Sequence, residues 1–182
     1  MAAPPQLPDI ATLPSQPAAV ITAALDALFE PEPALHALVL PRLQSSPAFD
    51  SYDALADHVG AVLLALAVPD APAEVKLTLH GILGAHPRLG AARVDSAQSA
   101  AEQARLQAAS AEEAAQLAAL NAEYEAAFPG LRYVVFVNGR GRPEIMANMR
   151  ERIARGDFAA EEREAIQVCP PCRIGLILPS GC

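Results

Sequence analysis

The chain has 182 residues, of which 52% are hydrophobic and only 4% aromatic, and it carries a formal net charge of −8. An apolar content made largely of Ala and Leu favours packed helices over β-sandwiches, and the length suits one domain. The negative balance leaves no basic stripe for nucleic acid or an anionic leaflet, and the longest apolar stretch, Val59 to Val68, falls short of the roughly 20 residues a membrane-spanning helix needs.

Residues 1–14 read as a Pro-rich arm, and Met1 to Leu13 carries no Lys or Arg of the kind a secretory signal or transit peptide uses, so a soluble cytosolic or peroxisomal chain is expected. Prolines then punctuate a series of helices, because Pro suits a first turn and breaks an interior. Ser15 and Pro17 start the first, with Ile21, Leu25, Leu28 and Phe29 on one face, and Glu30-Pro31-Glu32-Pro33 stops it. Ala34 to Leu40 forms a short second helix that ends at Pro41. Ser51 caps a third, whose Leu55, Val59, Val62, Leu63 and Leu66 follow the helical period. Pro72 to Leu83 makes a fourth through Val75, Leu79 and Ile82, with Gly84 as the residue that ends it.

Two Ser-x-x-Glu capping boxes, Ser99 to Glu102 and Ser110 to Glu113, mark two further helix starts. The second of these helices is long, places Leu117, Leu120, Tyr124 and Phe128 on one face, and stops at Pro129-Gly130. Arg132 to Val137 is the one β-like run. With no partner strand it is expected to be a buried extended or irregular segment whose backbone groups are satisfied by neighbouring loops or by a ligand. Pro143 to Arg155 resumes helix through Ile145, Met149 and Ile153. The fold expected is all-α: a single-domain bundle of about seven to nine helices, spanning residues 15–166, with one buried extended segment and an atypical tail at 167–182.

Among the chemically able residues His86 stands out. It lies just past a helix end in Gly84-Ala85-His86-Pro87-Arg88-Leu89-Gly90, where Pro87 stiffens the backbone and imidazole can exchange protons near neutrality. On the residues alone it is either a proton-transfer group or a loop histidine bonded to a carbonyl. Ser99 and Glu102 are likewise either a capping pair or, with Gln103, a helix start whose free N–H groups receive an anionic oxygen. His36, His58 and His80 fall inside helices and read as surface or core residues. The cysteines, at 169, 172 and 182, are odd in number. Cys169-Pro170-Pro171-Cys172 lacks the βαβ context of a redox site, and a zinc site would need two further ligands, so no metal is expected.

Taken together, Gly84 to Gly90, Ser99-Ala100-Ala101-Glu102-Gln103, Leu120-Asn121-Ala122-Glu123-Tyr124 and Tyr133 to Val137 resemble, in that order, the 2-oxo-4-hydroxy-4-carboxy-5-ureidoimidazoline (OHCU) decarboxylase family in its fungal form, from about Leu13 to Ile166. The resemblance implies an all-helical homodimer that needs neither metal nor organic cofactor. It also implies a reaction, decarboxylation of the ureidoimidazoline to S-allantoin in urate breakdown, within purine metabolism. The resemblance makes His86 the proton donor and Glu102 its catalytic companion. It assigns Pro87, Ser99, Ala100, Ala101, Gln103 and the stretch Val134, Val135, Phe136, Val137 and Asn138 to substrate binding.

The chain departs from the family pattern in two places. Phe128-Pro129-Gly130-Leu131-Arg132-Tyr133 stands where the family has Phe-Gly-Phe-Pro-Phe. After Ile166 a Pro-interrupted tail replaces a basic helix whose Arg reaches the substrate carboxylate, so Arg173 does not inherit that role. The alternative reading is therefore a helical interaction module that kept the fold and lost turnover. A hydrolase has no Gly-x-Ser-x-Gly elbow to support it. Peroxisomes are a common location in the family, although Pro179-Ser180-Gly181-Cys182 is not a Ser-Lys-Leu type address.

Overall fold

In a computed structural model, which describes residues 7–90, 111–136 and 140–168, one 3-10 turn and seven α-helices pack around a common core with no strand among the described residues. The turn, Ile10–Ser15, straddles the boundary expected at residue 14, and its Leu13 is buried against the bundle. Helix α1 (Ala18–Leu28) starts directly after Pro17 and buries Ile21, Leu25 and Leu28, the face expected from spacing. Helix α2 (Pro33–Gln44) is longer than expected. Pro41 lies inside it, because a single Pro costs one i→i−4 hydrogen bond while the next turn buries Leu43 completely.

Ser51 caps α3 (Tyr52–Leu64) by accepting a hydrogen bond from the Ala54 amide at 3.1 Å, as its sequence suggests. Helix α4 (Ala73–Gly84) follows Pro72. Helix α5 (Ala111–Ala127) carries Leu117, Leu120 and Tyr124 on its buried face and ends at Phe128, beyond which Gly130 adopts φ 89°. The expected capping box from Ser99 to Glu102, and Ser110, the expected cap of α5, lie outside the described residues.

Helix α6 (Arg142–Arg155) closes on Gly156, whose left-handed φ of 63° reverses the chain, and the Asp157 carboxylate then caps α7 (Phe158–Val168) by accepting from the Ala160 amide at 2.9 Å. Two residues therefore separate α6 from α7 and set Glu161 opposite Arg152. Helix α5 packs on α6, α3 on α7, and α2 on both α1 and α4. Lys76 and His80 of α4 both reach the buried carboxylate of Glu162 in α7, at 2.6 and 2.7 Å. No helix among the described residues is long and apolar enough to cross a membrane.

Candidate active site

The end of α4 meets the turn after α5. A side chain on Gly84 would place its Cβ 3.0 Å from the Gly130 carbonyl oxygen, so this glycine is needed for close backbone approach, and the helix runs through it rather than stopping before it. Gly130 in turn lies against the His80 ring. This joint brings the chain just past α4 beside the segment that begins at Leu131.

His86 lies two residues beyond the helix end at Gly84 and is 8% exposed. Burial pushes its imidazole below the ordinary 6.5, and the nearby negative charge of Glu30 opposes this with a smaller upward pull. The ring is thus held toward its neutral form, ready to accept a proton before it gives one up. Pro87 is half-buried beside it.

The rest of the loop is fastened to α5. The Asn121 amide donates to the Leu89 carbonyl at 3.0 Å, and Arg88 donates from Nε and Nη2 to the two oxygens of Glu125 at 2.6 and 2.7 Å. Gly90, at φ 81°, presses on Leu117, whose Cδ2 would lie 2.8 Å from an added Cβ. Residues 90, 89 and 88 therefore meet positions 117, 121 and 125 in order. The loop descends antiparallel to one stripe of α5 and delivers His86 to that helix's C-terminal end.

Segment 131–136 is neither helix nor strand, as expected, with Leu131 and Tyr133 buried. Two of its carbonyls accept from arginines. Arg152 of α6 donates from Nη1 to Val134 O at 3.0 Å, and Arg140 donates from Nη2 to Phe136 O. The Tyr133 hydroxyl donates to Asn148 Oδ1 at 2.7 Å, and burial pushes that hydroxyl up to about 12. Arg152 lies 4.8 Å from the Tyr133 ring centroid and donates from Nε to both oxygens of Glu161, at 2.8 and 3.1 Å. Arg155 also donates to Glu161, at 2.9 Å, and so does the Tyr124 hydroxyl, which burial and that carboxylate push far above the usual phenol range.

Of the residues expected to form the site, His86, Pro87, Val134, Val135 and Phe136 are described, and the loop and segment that carry them are both held on α5. Glu102, Ser99, Ala100, Ala101, Gln103, Val137 and Asn138 lie outside the described residues. Sequence reasoning missed Glu30, Glu125, Arg152 and Glu161. Glu30 looked only like part of a helix stop. Glu125 carried a signal, since Leu117, Asn121 and Glu125 recur every four residues along one stripe. Nothing local distinguishes a buried Arg152 or Glu161 from the solvated charges around them. No group of three or more potential metal ligands occurs among the described residues.

With this geometry in place, the comparisons with known proteins give one match. The OHCU decarboxylase family model aligns with residues 14–170, well over half of the chain. No curated protein and no solved structure matches.

Proposed function

The chain belongs to the OHCU decarboxylase family, and on that premise we propose that it converts 2-oxo-4-hydroxy-4-carboxy-5-ureidoimidazoline to S-allantoin with His86 moving the proton. The observation that carries this reading is a buried imidazole, held toward its neutral form, at the joint between α4 and segment 131–136. As CO2 leaves, the electron pair of the broken C–C bond passes into the ring and onto the imine nitrogen, which takes a proton from solvent. Neutral His86 accepts the proton of the neighbouring hydroxyl and returns it to the ureido-bearing carbon, leaving the ring carbonyl of allantoin. The substrate is its own electron sink, so neither pyridoxal nor thiamine chemistry is required.

In this reading Glu102 orients His86 or binds the substrate hydroxyl, and Gln103 pairs with the ureido amide. Pro87, Ser99, Ala100, Ala101 and the stretch from Val134 to Asn138 line the pocket. Residues 15–166 form the catalytic unit, flanked by the 1–14 arm and the 167–182 tail. The protein works as a homodimer, which sedimentation would show as twice the chain mass, in the peroxisome or cytosol.

The direct test supplies substrate freshly made by urate oxidation and hydrolysis and follows the optical activity of the product. Wild type gives optically active allantoin faster than spontaneous decay, and His86→Asn abolishes the acceleration while keeping the helical circular dichroism. A racemic product at the spontaneous rate from well-folded wild type would overturn the reading. It would favour instead the interaction module suggested by the Cys169-Pro170-Pro171-Cys172 tail that replaces the family's basic helix.

A further inference from the structure

We propose that Glu125 is a positioning residue that clips the His86 loop to segment 131–136, so that the two halves of the substrate pocket are held in register by one carboxylate; the inference rests on the decarboxylase reading of that pocket. Glu125 takes a two-point grip from Arg88, which stands on the loop, and its Oε1 also accepts from Arg132 Nη1, which stands at the start of the segment.

The placement on α5 explains why the clip is needed. Leu117 and Asn121 hold the loop only at Gly90 and Leu89, its far end, whereas Tyr124 and Phe128, on the adjoining stripe, face the core beneath the segment. Glu125 is the position where the stripe that carries the loop reaches the end of the helix from which the segment departs. It joins the loop at Arg88 to the start of the segment at Arg132.

An exposed ion pair contributes little by itself, and Arg88 is 55% exposed in its side chain. Two features set this group apart: the Arg88 contact is a planar fork, and one carboxylate serves two guanidiniums from different segments, so its loss breaks both contacts at once. The Arg88 hydrogen bonds, helped by Arg132, hold the Glu125 carboxyl down to about 2, so the clip is charged throughout the neutral range. Its action is on geometry, through Arg88 and Arg132.

The test is Glu125→Gln in the full chain, which keeps the shape and removes the charge. Amide hydrogen exchange read by mass spectrometry should rise together in residues 85–90 and 131–136, by roughly two- to fivefold, the range that an exposed ion-pair network supplies, with α1 to α3 unchanged. With substrate, KM should rise by a similar factor of about two to five while kcat changes less. About 1 M NaCl, where the screening length is about 3 Å, should reproduce the effect in wild type and add nothing to Glu125→Gln.

Faster exchange in only one stretch, in neither, or across the whole chain would overturn the clip, as would a KM that responds to salt equally in both proteins. Inactive wild type would overturn the decarboxylase reading, and the exchange measurement would still decide the clip.

Discussion

Two of the contacts that hold segment 131–136 differ in almost every physical respect. At Val134 it hangs from Arg152, whose guanidinium is sealed against Glu161, Tyr124 and Tyr133, with Arg152 2% and Glu161 0% exposed. At Arg132 it is tied through Glu125 to Arg88 in a group open to solvent. The first anchor uses charges that could not remain unpaired in a dry interior, so it is bound up with the fold itself. The second uses charges that water would otherwise solvate, so the fold survives its loss and only the local geometry is affected. One segment thus has a structural root and an adjustable tie.

The largest effect expected from breaking this contrast is at the root. Arg152→Ala leaves the Glu161 carboxylate buried with only Arg155 and Tyr124 as partners and should cost about 3–5 kcal/mol in urea unfolding. An Arg152→Met, Glu161→Leu double variant, which removes both charges, should cost less than Arg152→Ala. If the double is the worse of the two, the buried pair is stabilising in its own right. Tyr124→Phe removes one hydrogen bond to the same carboxylate and should cost about 1.5–3 kcal/mol, read from the shift in urea midpoint.

At the tie, Glu125→Gln should cost under about 1 kcal/mol globally, in contrast to its effect on local exchange and KM. Acid sharpens the difference. The Glu125 carboxyl sits at about 2 against an ordinary 4.5, so its contribution is complete above pH 4.5 and is lost as pH falls through about 2. The stability gap between wild type and Glu125→Gln should therefore be flat above pH 4.5 and close toward pH 2 in urea titrations at stepped pH.

His86 gives the smallest stability effect and a separate pH window. Because burial lowers it from 6.5, the unfolded chain takes up its proton first, and stability should fall as pH drops below 6.5. His86→Asn should remove that slope. The acid limb of kcat/KM should likewise have its midpoint below 6.5, and a midpoint above it would contradict a neutral imidazole.

Much of the bundle was legible because apolar spacing and punctuation are local properties: Ile21, Leu25 and Leu28, or Leu117, Leu120 and Tyr124, fall on buried faces as their periods require. Pro41 was misread because the local cost of one missing hydrogen bond was outweighed by a tertiary gain at Leu43. Gly84 is the last residue of its helix, as read, but the approach of Gly130 from another element was not legible from its neighbours. The central histidine was legible from its Gly- and Pro-bounded loop. Its setting was not, since Glu30, Glu125 and Arg152 reach the site through contacts across the chain that leave no mark on their own neighbours.

The meeting of Gly84 with the Gly130 carbonyl also has a kinetic consequence. Those residues are far apart in sequence, so their contact closes a long loop, and its entropy must be paid before either side of the pocket exists. Helices α1, α2 and α4 pack along neighbouring stretches of chain, whereas the meeting of Gly84 with Gly130 needs the chain beyond α5. Substitutions at Gly84 or Gly130 should therefore slow refolding more than they speed unfolding if that closure lies in the transition state.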